Sequence, residues 1–180
     1  SRACKRSKEK GCINSFKLYT SIDTWGKRAE YTRTGLDVEL WERNLDYYLT
    51  STGWPVTFMV TFNVLCVTTF QSLLEKFLEW REQYQTGSVR IRFDTPYLKE
   101  PPHWMINILP RQYMDFMHDH LRHMTINERT VNNQHGFDKV EIEKFKRVVD
   151  YMGASNVDPE VIKQGRRDFY TFFTESVFST

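Results

Sequence analysis

A change of hydrophobic period that recurs three times constrains this chain more than anything else in it. Phe16, Leu18, Thr20 and Ile22 alternate with Lys17, Tyr19, Ser21 and Asp23. Val56, Phe58, Val60 and Phe62 alternate with Thr57, Met59, Thr61 and Asn63, and Val89, Ile91, Phe93 and Thr95 alternate with Arg90, Arg92 and Asp94. Period two marks a strand with one apolar and one polar face. Helical stripes separate these strands. Asp37 predicts an N-cap for a helix over about 38–49, with Val38, Trp41, Leu45, Tyr48 and Leu49 turned inward. Phe70, Leu73, Leu74, Phe77, Leu78 and Arg81 form an i, i+3, i+4, i+7 stripe over about 69–84, and Gly87 stops it.

After the third strand come Pro96, Pro101 and Pro102, and then helical patterns over about 110–124, 138–152 and 159–173. The second of these opens with Asp138 followed by Glu141, the spacing of a capping box. The third has Asp158 as N-cap and Pro159 in its first turn. Strand starts lie roughly 33 to 40 residues apart, the rhythm of βαβ units with parallel strands and right-handed crossovers. The predicted fold class is α/β: parallel strands with covering helices, followed by extra C-terminal helices. Residues 1–14 read as a basic loop or the end of an upstream element, 15–131 as the βα units and 132–180 as a helical extension.

Strands buried on both faces read as nearly continuous apolar runs. These three do not, so the helices must pack on the apolar face and the polar faces must share one direction. Two architectures satisfy that pattern. One is a two-layer sheet whose polar face meets water. The other is an open barrel whose polar face lines a hollow, with Ser21, Asp23, Asn63 and Asp94 at the carboxyl ends of the strands, where α/β proteins place ligand sites.

Composition narrows the function classes. The 180 residues are 40% hydrophobic and 27% charged, which excludes a disordered chain. A net charge of +2 gives no reason to expect nucleic acid or anionic lipid as a partner. No apolar run approaches the ~18 residues of a membrane span, and the start of the chain has no secretory-signal pattern. The three cysteines, Cys4, Cys12 and Cys66, fit neither a disulfide scaffold nor a zinc or cluster loop, and point to a reducing compartment. A start at Ser1 and an end straight after Phe169-Tyr170-Thr171-Phe172-Phe173 lead us to expect a piece of a longer polypeptide.

The run Tyr19-Thr20-Ser21-Ile22-Asp23, then Gly26, then Arg28-Ala29-Glu30-Tyr31-Thr32-Arg33-Thr34-Gly35-Leu36-Asp37 resembles the fourth strand and following loop of radical S-adenosylmethionine enzymes. The twitch-domain members, with a strand ending S-x-D or S-x-E before R-A-E-Y-x-R-x-G-L-D, are the most similar in wording. Phe58-Met59-Val60-Thr61-Phe62-Asn63 and Arg92-Phe93-Asp94-Thr95-Pro96-Tyr97-Leu98 resemble the next two strands, so the resemblance spans about 16–175. It implies the C-terminal half of an open (β/α)6-type barrel and a 5′-deoxyadenosyl radical, generated from S-adenosylmethionine at a [4Fe-4S] cluster, that abstracts hydrogen from a substrate. It implies that Ser21 meets the cofactor ribose with Asp23 beside it, that Arg33 pairs with the methionyl carboxylate, and that Asn63 hydrogen-bonds the ribose or amino acid end. Asp94 and Arg92 are weaker substrate candidates. The implied partners are a small-molecule or peptide substrate and an electron donor such as flavodoxin or ferredoxin, in the cytoplasm. The family's C-x-x-x-C-x-x-C cluster loop is absent from this chain, so the cluster ligands are expected upstream.

Each of these residues also has a local reading. Ser21 can satisfy a nearby backbone group. Arg33 can pair with Asp37 in a surface loop, and Asn63 can end a strand. Arg90 and Arg92 are read as pairing with Asp23 or Asp94, or as clamping an anion. His118, His120 and His123 lie on one predicted helix with Asp115 and Asp119, and are read as a solvated polar face and not a metal site.

Overall fold

The computed structural model describes Gly11 and residues 16–85, 87–154 and 157–178. Cys4, Cys12 and the basic run from Lys5 to Lys10 lie outside the described residues. Three strands, β1 (Leu18–Ser21), β2 (Val56–Met59) and β3 (Ile91–Asp94), form one parallel sheet in the order β1-β2-β3. Among the described residues there are six α-helices: α1 (Lys27–Thr32), α2 (Val38–Thr52), α3 (Phe70–Tyr84), α4 (Met114–Ile126), α5 (Lys139–Gly153) and α6 (Pro159–Phe178). The molecule is thus α/β, and no helix among the described residues is long and apolar enough to cross a membrane.

The register aligns Tyr19 with Thr57 and Arg92, and Ser21 with Met59 and Asp94. Those rows form the polar face, where Tyr19 is 61% exposed. The opposite face carries Val56, Phe58, Ile91 and Phe93, all buried. Phe58 sits at the centre of an aromatic cluster, with ring centroids 5.7 Å from Trp41, 5.1 Å from Phe77 and 5.5 Å from Trp80. Phe77 stacks on Phe93 at 4.5 Å, so α3 is held to both β2 and β3 by rings that keep their preferred separations. The core continues into Phe137, Phe145, Val148 and Val149, which places α5 against the same apolar mass as α3.

Helix ends follow local chemistry. The Asp37 carboxylate accepts from Leu40 N–H at 2.9 Å, and Gly53 at φ 67° closes α2 in the left-handed conformation. This helix runs three residues past Leu49. Thr50, Ser51 and Thr52 return their hydroxyls to the carbonyls of Asp46, Tyr47 and Tyr48, so residues that look like a turn signal remain helical. The sequence pattern predicts a loop over 27–32. The short α1 forms there behind Gly26, with Ala29 fully buried.

The two edges of the sheet end differently. On β3, the outward carbonyl of Ile91 accepts from Arg81 Nε at 3.2 Å, and the outward N–H of Phe93 donates to Glu141 at 3.1 Å. Arg81 Nη2 lies 2.5 Å from the same Glu141 oxygen, and its Nη1 donates to the Gly136 carbonyl at 3.0 Å. Glu141 also completes the capping box of α5 by accepting from Asp138 N–H at 3.0 Å. Side chains therefore do on β3 what a fourth strand would do. On β1, Leu18 and Ile22 donate toward β2, which turns the N–H and C=O groups of Tyr19 and Ser21 to the outer edge. No strand among the described residues pairs with that edge.

Candidate functional site

The carboxyl end of the sheet is assembled by Asp23. Beyond β1 the ladder continues with Ile22 N–H donating to the Met59 carbonyl, and this delivers Asp23 inward to 5% exposure. One carboxylate oxygen accepts from Thr61 N–H at 2.9 Å and from Arg33 Nη2 at 2.9 Å. Asp23 thus ties together the ends of β1, β2 and α1. Beside this tie, Arg28 Nη1 donates to the Leu65 carbonyl at 3.3 Å and to the Thr68 hydroxyl at 2.7 Å, and Thr24 and Thr69 share a hydroxyl hydrogen bond of 2.6 Å.

Arg33 directly follows α1, with its own N–H donating to the Ala29 carbonyl and its carbonyl accepting from Leu36 N–H. Its side chain is one-third exposed (34%), and among the described residues its guanidinium has no hydrogen-bond partner beyond Asp23; the Nε is buried. The alternative pair with Asp37 does not form, because Asp37 caps α2. Ser21 stands half-buried on the polar face, at the open edge of the sheet. Asn63 is buried in its own turn, donating from Nδ2 to the Thr61 carbonyl at 3.1 Å and accepting from Leu65 N–H at 3.0 Å.

Asp94 faces the same side as Ser21 from two strands away, roughly 10 Å by strand spacing. Its carboxylate pairs with Lys144 of α5 at 2.7 Å. Nothing in the sequence pattern pairs Lys144 with Asp94. The signal was its place at the flank of the α5 stripe, beside Phe145. Arg92 is exposed and makes no ion pair among the described residues. Neither reading of Arg90 survives. Its guanidinium runs under the sheet to the carbonyls of Leu49 at 2.8 Å, Tyr84 at 3.1 Å and Trp54 at 3.4 Å. It joins the C-terminal ends of α2 and α3, where a cation meets orphan carbonyls.

The α4 histidines also depart from the solvated-face reading. His118 is exposed, but His120 is buried, with Nε2 2.7 Å from the Val67 carbonyl and its ring against Phe70. Burial pushes its pKa down, partly offset by the Val67 bond. His123 Nδ1 lies 2.9 Å from Gln71 Nε2, and burial lowers its pKa as well. Among the described residues no three His, Cys, Asp or Glu side chains converge on a metal position. Cys66 is fully buried, and desolvation raises its thiol pKa far above the ordinary value.

No family model matches the chain, and searches of curated proteins and of solved structures return no match.

Proposed function

We propose that the carboxyl end of this sheet binds the S-adenosyl and methionyl parts of S-adenosylmethionine, in a radical S-adenosylmethionine enzyme of the twitch-domain type to which these strands contribute part of an open (β/α)6-type barrel. The observation that carries the reading is Arg33. A guanidinium anchored through one Nη2 hydrogen by a buried carboxylate, with no other hydrogen-bond partner among the described residues, is oriented and keeps Nη1 and the second Nη2 hydrogen for a ligand. A free guanidinium fork suits a carboxylate. The open edge of β1 supports the barrel, because it leaves hydrogen-bonding groups for a further strand, whereas on β3 side chains already take the Ile91 N–H, the Ile91 carbonyl and the Phe93 N–H.

In this reading Arg33 holds the methionyl carboxylate and Ser21 offers its hydroxyl to the ribose. Asp23 has a different part from the ribose acceptor suggested by the motif: with one oxygen on Thr61 and Arg33, it aims the arginine and keeps its second oxygen for the cofactor. Asn63 retains one Nδ2 hydrogen for a ligand after bonding Thr61. Asp94 and Arg92 face a substrate, with Lys144 paired to the Asp94 carboxylate. A [4Fe-4S] cluster and S-adenosylmethionine, when bound here, would supply hydrogen-abstraction chemistry toward a small-molecule or peptide substrate held by these residues. Because the described residues carry no C-x-x-x-C-x-x-C loop, the reading puts the cluster ligands in an upstream loop of that kind and takes a flavodoxin or ferredoxin in the cytoplasm as electron donor.

The test uses the protein from the complete reading frame, reconstituted anaerobically with iron and sulfide and assayed for 5′-deoxyadenosine. The expected result is 5′-deoxyadenosine formation that falls at least about thirtyfold in Arg33→Gln, the cost of removing one partner of a hydrogen-bonded charge pair. A cluster-bearing protein that forms none contradicts the proposal. The alternative, a non-enzymatic α/β interaction module, draws on the aromatic residues that α6 leaves exposed, Tyr170 at 71% and Phe172 at 41%. It predicts that those two side chains, and not Arg33, control binding to a partner.

A further inference from the structure

Where the C-terminal end of α5 meets the start of α4 and the first half of α6 lies a cavity of about 430 Å³. Three basic residues from three segments line it: Arg111 from the turn that leads into α4, His118 from α4 and Arg166 from α6. All three are exposed. The side chains of Arg111 and His118 have no hydrogen-bond or ion-pair partner among the described residues. Arg166 Nε donates to the Ile108 carbonyl, which fixes the guanidinium and leaves Nη1 and Nη2 without a partner among the described residues. No carboxylate among the described residues lines the cavity.

Cations beside a helix C-terminus normally serve its free carbonyls. Here the bonds go elsewhere. The Tyr151 carbonyl accepts from Asn107 Nδ2 at 2.6 Å and from Ala154 N–H at 3.2 Å, and none of the three basic side chains bonds a carbonyl of α5. Much of the remaining wall is apolar: Leu109, Met114, Met152 and Ile162. Met114 and His118 are one turn apart on α4, and Ile162 and Arg166 one turn apart on α6, so each helix presents an apolar residue beside a basic one. Like charges gathered over a low-dielectric wall focus a positive potential in a concave site, and that potential draws in an anion. Donors from three segments suit a tetrahedral phosphoryl group, whereas a planar carboxylate is satisfied by one guanidinium fork. The apolar part of the wall offers a surface for the organic part of such a ligand.

We propose that this cavity binds a small phosphomonoester with an apolar organic part, its phosphoryl oxygens held by Arg111, His118 and Arg166 and its organic part laid against Met114, Met152 and Ile162. The site shares no residue with Ser21, Asp23, Arg33 and Asn63, and stands whether or not S-adenosylmethionine binds at the carboxyl end of the sheet.

Titration calorimetry of the 180-residue chain with phenyl phosphate, at pH 7 and constant ionic strength, tests it. Saturable one-to-one binding is expected, at least about tenfold tighter than inorganic phosphate or benzoate, since only the ester offers both parts. Arg111→Gln weakens binding at least about tenfold, the worth of a hydrogen bond to a charged group. His118→Gln weakens it as well. Both side chains are exposed and unbonded among the described residues, so neither variant removes a contact that holds the fold. Arg122→Gln removes an exposed arginine of α4 that does not line this cavity, and leaves binding unchanged. The proposal is overturned by no saturable binding at about 10 mM phenyl phosphate, by inorganic phosphate or benzoate binding as well as the ester, by Arg111→Gln binding like the parent chain, or by Arg122→Gln weakening binding as much as Arg111→Gln.

Discussion

Two arginine–carboxylate pairs flank this sheet, and their chemistry diverges. Arg81 and Glu141, at the β3 edge, are 0% and 4% exposed, and all three guanidinium nitrogens of Arg81 are bonded, to Ile91, Gly136 and Glu141. Phe93 and Phe137 cover the guanidinium at 5.8 and 5.4 Å. Arg33 and Asp23, at the β1 end, also meet within hydrogen-bond distance, at 2.9 Å, but the arginine is partly in solvent and uses one nitrogen among the described residues. Short distance alone therefore does not tell a structural pair from an available one. The count of committed nitrogens does. The Arg81 pair closes an edge, whereas the Arg33 pair orients a cation that still has donors to offer.

Removing the closed pair should have the largest effect. Arg81→Met leaves Glu141 buried with its charge uncompensated and the Ile91 carbonyl unbonded, and is expected to cost about 3–5 kcal/mol. Urea unfolding of the variant checks this, and a loss under 1 kcal/mol breaks the comparison. Gly136→Ala is next. A Cβ there runs into the backbone of Asn127, Glu128 and Arg129, and relief requires moving the carbonyl that accepts from Arg81. We expect a loss of about 1–3 kcal/mol, read as a lower thermal midpoint.

Titration of α4 gives a smaller effect with a definite sign. His120 and His123 both have pKa values lowered in the folded chain, so below the ordinary value of about 6.5 the unfolded chain binds more protons. The groups facing them are Asp119 and Glu75, which favour the protonated form, together with the neutral Gln71 and the Val67 carbonyl. Stability from these residues is present above pH 6.5 and lost as pH falls through the window below it. Unfolding midpoints from pH 7.5 to 5 should decline, and His120→Gln should flatten part of the decline. An unchanged slope in that variant assigns the effect elsewhere.

Periodicity exposed the strands and the longer helices because each repeats its signal several times. Phe70, Leu73, Leu74 and Phe77 are buried along one face of α3, as the spacing predicts. The regular part of β2 ends at Met59 and not at Asn63, although its ladder continues through Val60 and Phe62 to the Asp94 and Pro96 carbonyls. Six residues of α1 are too few to show a period. The closure of β3 was illegible for another reason. It depends on Arg81, Gly136 and Glu141 meeting from three separate segments; Arg81 is legible as the polar end of an apolar stripe and Glu141 as a capping-box residue, but neither spacing points to the other or to Gly136. Arg90 misled in the opposite way: alternation placed it on the polar face, yet its length takes it to the helix ends instead. At the candidate site the motif pointed to Asp23 and Arg33 separately. Their pairing comes from the turn that α1 makes.

The smallest stability effect belongs to the open pair. Arg33→Gln should change the unfolding free energy by less than about 1 kcal/mol, since the guanidinium is partly solvated. Its consequence should appear in ligand binding, which is the reverse of Arg81→Met.

The most direct test observes both guanidinium groups in one sample. Side-chain Nε–H resonances of Arg33 and Arg81 can be followed by nitrogen–proton NMR while the protein from the complete reading frame is titrated with S-adenosylmethionine. Our account predicts a saturable shift of the Arg33 resonance with Arg81 unmoved. A saturated titration that leaves Arg33 where it began would contradict it.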